Sequence, residues 1–135
     1  MEYKELIKMA EEARVHSYCP YSGFSVGAAL LSRNGRVFTG CNIENAAYGP
    51  SNCAERTAFF KAVSEGVTEF SAIAIIGGKK NEKGQFCAPC GVCRQVMSEF
   101  CKEDEFDVIL GNEEGFRVYK LKELLPESFG AANLK

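Results

Sequence analysis

No apolar run in this chain approaches the roughly 20 residues needed to span a bilayer. Its opening stretch, MEYKELIKMAEEARV, alternates charge with apolar residues and lacks the continuous apolar core of a secretory signal. A cytoplasmic protein is therefore expected. Excess positive charge is missing too: 16 Lys and Arg against 18 Asp and Glu give a formal net charge of -2 and a pI near 5.5. Such a surface has no global field to hold a nucleic-acid backbone or an anionic membrane, which leaves a small, weakly charged molecule as the better partner. There is no internal repeat, low-complexity tract or linker, so residues 1–135 are read as one domain. Histidine is nearly absent: His16 is the only one, sits among charged residues, and is assigned no role.

What is present is ordinary globular material. Hydrophobic residues make up 46% and charged residues 25%, enough for one compact core at this length. Tyr3, Leu6, Ile7, Ala10, Ala13 and Tyr18 recur at helical spacing over residues 2–18, until CPYSG breaks the pattern. FSVGAALLS and RVFTGCNI flank Asn34-Gly35, a strong hairpin signal. The stretch SNCAERTAFFKAV predicts a helix from Cys53 to about Glu65, stopping at Gly66. FSAIAIIGG is continuously apolar and reads as a strand buried on both faces. After the polar loop KKNEKGQF, Pro89 suits the first position of a helix whose inner stripe is Cys93, Val96, Met97 and Phe100. FDVIL and FRVYKL are two further strands, and KELLPESF is a short terminal helix. This order predicts an α/β fold in which a mixed sheet is sandwiched by helices.

Cysteine is abundant, with seven residues: 19, 41, 53, 87, 90, 93 and 101. In a reducing compartment, metal binding or catalysis explains them better than disulfides. Cys90 and Cys93 stand at i and i+3 on the first turn of a helix, whose N-terminus favours thiolates. That alone serves a redox couple or a pair of metal ligands equally. Cys53 lies at a second helix start, and both helices follow loops able to converge at one sheet edge. Three thiolates supply three vertices of a zinc tetrahedron and leave the fourth for water, within reach of Glu55. Each residue also has a plainer reading. Glu55 can be the N3 acid of a capping arrangement begun by Asn52, Cys53 a small buried hydrophobe, and Cys90 and Cys93 part of a four-cysteine structural site completed by Cys87 or Cys41. The combination weighs against these, because capping predicts no downstream pair of thiols. Cys-x-Glu followed by Pro-Cys-x-x-Cys is the pattern of zinc deaminases that act on nucleobases.

The sequence resembles the small homotetrameric cytidine deaminases along nearly its whole length. The residues that carry the likeness are YSGFSVGAAL (21–30), GCNIENAAYG (40–49), CAERTA (53–58), PCGVCRQV (89–96) and ELLPESF (123–129). The resemblance implies a three-layer helix-sheet-helix fold with a five-stranded sheet, one zinc per chain on Cys53, Cys90 and Cys93, and a homotetramer with sites at subunit interfaces. It implies deamination of cytidine and 2'-deoxycytidine in pyrimidine salvage. By the same likeness Asn42 and Glu44 bind the sugar, Phe24 packs on the base, and Phe129 reaches a neighbouring subunit's pocket. Without it, Phe24 reads as a core strand residue and Asn42 and Glu44 as the close of a strand. The segment GGKKNEKGQFCAPC is a few residues longer than the family's usual connection.

Chemistry assigns further roles. Glu55 shuttles protons from water to ring N3 and then to the departing amine. The Ala54 backbone N–H, free at a helix start, suits the pyrimidine carbonyl oxygen. Three thiolates make zinc a weaker Lewis acid than neutral ligands would, so Arg56 is assigned the task of offsetting their charge. Its alternative is a surface side chain with a buried stem. Glu44 disfavours a 5'-phosphorylated substrate. Rival readings are a blasticidin-S deaminase, against which NIEN argues, a nucleic-acid deaminase, for which no basic groove is present, a thiol oxidoreductase, and a structural zinc module.

Overall fold

The computed structural model describes Met1–Lys135. Helix α1 (Tyr3–Ala13) is followed by a 3₁₀ turn (Arg14–His16), strands β1 (Phe24–Ser32) and β2 (Val37–Cys41), helix α2 (Ala54–Ser64), strand β3 (Phe70–Lys79), helix α3 (Gly91–Phe100), strands β4 (Asp107–Asn112) and β5 (Gly115–Lys120), and the short helix α4 (Leu121–Leu124). The five strands form one mixed sheet in the order β2-β1-β3-β4-β5. Only β3 and β4 pair in parallel; α3 is the crossover between them, as a parallel pair requires.

The sheet is covered on both faces, which gives the three-layer α/β sandwich expected. Alternation along each strand sorts the core into two sides. Ala29, Ala72, Ala74, Ile76 and Ile109 pack with Leu6, Ile7 and Ala10 of α1. Ala28, Leu30, Ile73, Ile75, Val108 and Leu110 face the other way, onto Phe59 of α2 and Met97 of α3. This two-sided burial explains why the β3 sequence is apolar without alternation.

Two glycines set how closely the helices sit. A β-carbon on Gly27 would lie 1.9 Å from the Ala10 carbonyl oxygen, and one on Gly40 would lie 2.4 Å from the Ala54 carbonyl oxygen. Helices α1 and α2 thus rest on bare strand backbone, from opposite faces of neighbouring residue pairs, Gly27 with Cys41 and Ala28 with Gly40.

Strand directions place the site. β1 runs antiparallel to both β2 and β3, so both flanking strands end beside its start: Cys41 opposite Gly27, Lys79 opposite Phe24. The loops that leave those two ends lead to the N-termini of α2 and α3, which therefore meet at the same edge.

Several boundaries differ from those read in the sequence. The first helix stops at Ala13 rather than running to residue 18, because Arg14 turns inward and Tyr18 pairs with Ile43 in an extended bridge. Tyr18 is accordingly exposed and off the inner stripe. Pro89 lies before α3 rather than in its first turn, since Cys90 has the extended backbone of an N-cap. The terminal helix ends at Leu124, with Pro126 too close for it to continue.

The contact at Gly40 is testable by denaturation. Gly40→Ala is expected to lower the unfolding free energy by about 2–4 kcal/mol, because backbone rather than a flexible side chain must give way. Gly115→Ala, with nothing within 4 Å of the new carbon, is expected to change it by less than about 0.5 kcal/mol.

Candidate active site

At the shared edge, Cys53 and Cys90 are the N-caps of α2 and α3, and Cys93 lies at the third position of α3. Neither N-cap sulfur is spent on capping a backbone N–H of its own helix, so the sulfurs are free to face one another. The Cys53, Cys90 and Cys93 sulfurs all lie within 4.8 Å of one another, and the Cys53–Cys90 separation is 3.7 Å. A tetrahedron with zinc–sulfur bonds of about 2.3 Å needs sulfurs about 3.8 Å apart, so the donor set fits zinc. Cys41 and Cys87 are outside this group, which removes the four-cysteine alternative.

The surrounding electrostatics favour thiolate at this corner. Cys53 is drawn down to about 5, first by the hydrogen bond from Cys93, with burial opposing and Arg56 and Cys90 adding to the pull. Cys93 is pushed up by the same shared proton and by burial. Arg56 donates from Nη2 to Cys53 Sγ at 3.2 Å, and its contacts to Cys53 and Cys93 hold it protonated. Its buried Nε–H has no hydrogen-bond partner in the chain.

Glu55 is 4% exposed. Its carboxyl is pushed up to about 7, chiefly because burial disfavours its charge; its own backbone N–H pulls the other way, and the Cys53 thiolate adds repulsion. A carboxyl poised near neutrality can both take and give a proton. It stands at the second position of α2 rather than the third. Asn52 does not cap the helix but donates to Thr57 Oγ1 at 3.1 Å, so the capping reading of Glu55 does not hold.

These groups open onto a cleft of about 470 Å³ whose lining includes Asn42, Glu44, Ala54, Glu55, Cys87 and Cys90, within the size range of small-molecule sites. A larger cavity of about 510 Å³ lies at the β4–β5 turn, away from the sulfur cluster and without an acid. The Glu44 carboxylate accepts from the Tyr21 and Ser22 backbone N–H groups at 3.0 and 3.1 Å and from the Ser22 hydroxyl, and the Ser22 hydroxyl bond leads in holding it below the usual carboxylate range.

The comparisons agree with this chemistry. The family model for the cytidine and deoxycytidylate deaminase zinc-binding region matches residues 1–106. This chain belongs to that deaminase family. It is 50% identical to the cytidine deaminase of Halalkalibacterium halodurans, over 99% of this chain and 98% of that protein. It is 46% identical to the one from Sporosarcina psychrophila, over 99% and 96%. The crystal structure of cytidine deaminase from Burkholderia pseudomallei superimposes with a TM-score of 0.86 at 48% identity, over 96% of this chain and 100% of that one. The Mycobacterium tuberculosis enzyme gives 0.82 at 37%, over 96% and 98%. No helix of this deaminase-family chain is long and apolar enough to cross a membrane.

The remaining residues singled out in the sequence fall in two groups. Asn42 lines the cleft, yet its amide also continues the β1–β2 ladder: Oδ1 accepts from the Val26 N–H and Nδ2 donates to the Phe24 carbonyl, both at 2.8 Å. One amide hydrogen stays available. Phe24 is 41% exposed and its ring passes beside Gly77, but it does not line the cleft of a single chain. Phe129 is exposed and outside it as well, with its carbonyl bonded by Gln95. Sequence reasoning missed Ser22, which orients Glu44, and Arg94, whose Nε donates to the Pro89 carbonyl at 2.8 Å just before Cys90. No spacing marks either; only the fold brings them there.

The buried carboxyl predicts a pH signature in the metal-free protein. A folded pKa near 7 against about 4.3 unfolded means the folded state holds the extra proton. Relative to Glu55→Gln, wild-type stability should therefore fall as pH rises from about 4.5 to 7, by up to about 3 kcal/mol, and be level above. Parallel urea titrations across that window read the difference; curves that stay parallel would place the carboxyl in water.

Proposed function

We propose that this chain is a hydrolase that converts cytidine and 2'-deoxycytidine to uridine and 2'-deoxyuridine with release of ammonia, a reaction of pyrimidine salvage. The observation that carries the reading is the meeting of three sulfurs from two segments with a buried acid on the same helix turn, at the floor of a nucleoside-sized cleft. Cys53, Cys90 and Cys93 would hold one zinc, which supplies Lewis acidity to make water nucleophilic near neutral pH. Arg56 keeps a positive charge against Cys53 Sγ and offsets the charge of the thiolate donors. Glu55 takes a proton from the attacking water, places it on N3 of the ring and later passes a proton to the amine leaving C4, its two oxygens serving water and ring in turn. The Ala54 N–H, one of those a helix start leaves unpaired, receives the pyrimidine carbonyl oxygen. Asn42, with its spare amide hydrogen, and Glu44, held by Tyr21 and Ser22, bind the sugar hydroxyls.

The assembly we assign is a homotetramer in the cytoplasm, with sites completed across subunit interfaces. Exposed Phe24, Tyr48, Val92 and Phe129 supply apolar surface that an interface would cover, and Phe24 and Phe129 would then act on the base from beside the cleft. The seven free thiols suit a reducing compartment.

Zinc-loaded protein should release ammonia and change the ultraviolet spectrum on adding cytidine or deoxycytidine, and show little reaction with cytosine, CMP or blasticidin S. A preference for blasticidin S would reassign the substrate, and absence of all turnover would refute the reading. Glu55→Gln is expected to keep its zinc and lose at least about 10³-fold in kcat, the scale of general acid–base catalysis. Arg56→Ala should lower kcat and move its pH profile; unchanged turnover would remove Arg56 from the chemistry. Light scattering should give a mass near four chains, against one or two if the interface assignment fails.

A further inference from the structure

Arg14 is 4% exposed, although it sits just past α1 where a charged residue is expected at the surface. A buried guanidinium costs several kcal/mol unless its hydrogens are all met, and here its partners are specific. Nε donates to the Ser25 carbonyl and hydroxyl at 3.0 and 3.1 Å, and Nη1 to Glu11 Oε1 at 2.7 Å. The remaining bonds go to the end of β3 and the segment after it: Nη2 to the Lys79 carbonyl and Nη1 to the Glu82 carbonyl, each at 3.2 Å. Residues 80–84, KNEKG, are polar and without helix or strand, so they have little apolar burial to hold them in place. They also lie directly on the ion pair. A β-carbon at Gly84 would come 2.3 Å from Glu11 Oε2. Beyond it, the Gly77 and Gln85 backbones exchange hydrogen bonds of 3.2 and 2.7 Å, and the chain delivers Cys87 and Ala88 to the cleft wall.

The geometry points to Arg14, paired with Glu11, as a positioning residue for substrate binding: it fixes residues 80–88 as one wall of the nucleoside cleft. The metal corner is held separately. Arg94 anchors Pro89 from α3 and ties it to the Leu124 carbonyl at 2.7 Å, while Cys93 and Met97 are fully buried. Loss of Arg14 therefore loosens the wall and stops short of the sulfurs. If the wall is then formed a tenth of the time, apparent affinity falls about tenfold, while bound substrate still reacts on an intact acid and donor set. A change confined to binding raises KM and leaves kcat.

This inference rests on the deaminase reading, and the experiment separates the two. Zinc-loaded wild type, Arg14→Ala and Arg14→Lys are compared for zinc per chain, kcat and KM with cytidine, and hydrogen exchange over 80–88. The expected result for Arg14→Ala is KM raised about tenfold, kcat within about twofold, zinc unchanged, and faster exchange in 80–88 but not in α3. Arg14→Lys, which keeps the charge facing Glu11 but cannot fork to both carbonyls, should fall between; it also decides the matter if Arg14→Ala does not fold. KM is independent of the fraction of active protein, so a wild-type KM in a folded variant with a lower melting temperature would mean Arg14 only supports the fold and would overturn the proposal. If the wild type itself deaminates nothing, the function reading fails, and unchanged exchange over 80–88 in Arg14→Lys would separately refute the anchoring.

Discussion

The sulfur cluster depends on strand direction: because β2 and β3 both run against β1, their ends come together at its start, and each feeds a loop into the beginning of a helix. Two helix N-termini aimed at one point make a region that welcomes negative charge. Placing cysteines as the caps of both helices puts thiolates where that field is strongest and leaves the sulfurs unspent on capping. Residues 37 apart in sequence are thereby brought to 3.7 Å. Anything bound there ties α2 to α3 within one helix layer and, by closing that loop, favours the folded chain.

Opposing charges are balanced tightly around this point. Burial raises the cost of the carboxylate, and the Cys53 thiolate raises it further, so Glu55 sits where its proton is neither firmly held nor readily lost. Arg56 acts in the opposite sense, donating to Cys53 Sγ rather than pairing with the acid. Had the cation paired with Glu55 instead, the carboxyl would have been held ionised and poor at returning a proton. Adjacent positions on one helix turn are thus sent to different tasks.

Much of the site was legible because its chemistry comes in short local patterns. The two cysteine motifs name all three sulfurs and the acid, and Asn34-Gly35 and the unbroken apolar run of β3 fix the middle of the sheet. What the sequence hid was set by contacts between distant segments. Nothing in the pattern around Arg14 marks it, yet two of its acceptors lie 65 and 68 residues away. Asn42 offered two readings, and the fold uses the amide for the strand while leaving part of it for the cleft. Pro89 fits a first turn by propensity, but the extended backbone at Cys90 takes precedence because the sulfur must face out of the helix.

Gly40 carries a wider consequence. Where side chains separate two elements, substitutions can be absorbed by repacking, and the spacing drifts as the core changes. Helix α2 instead meets β2 main chain to main chain at Ala54, the residue before the acid. The depth of Glu55 is thereby referenced to the peptide backbone itself, a ruler that mutation of the neighbouring core leaves in place, so the apolar layers are free to diverge while the reacting groups keep their alignment.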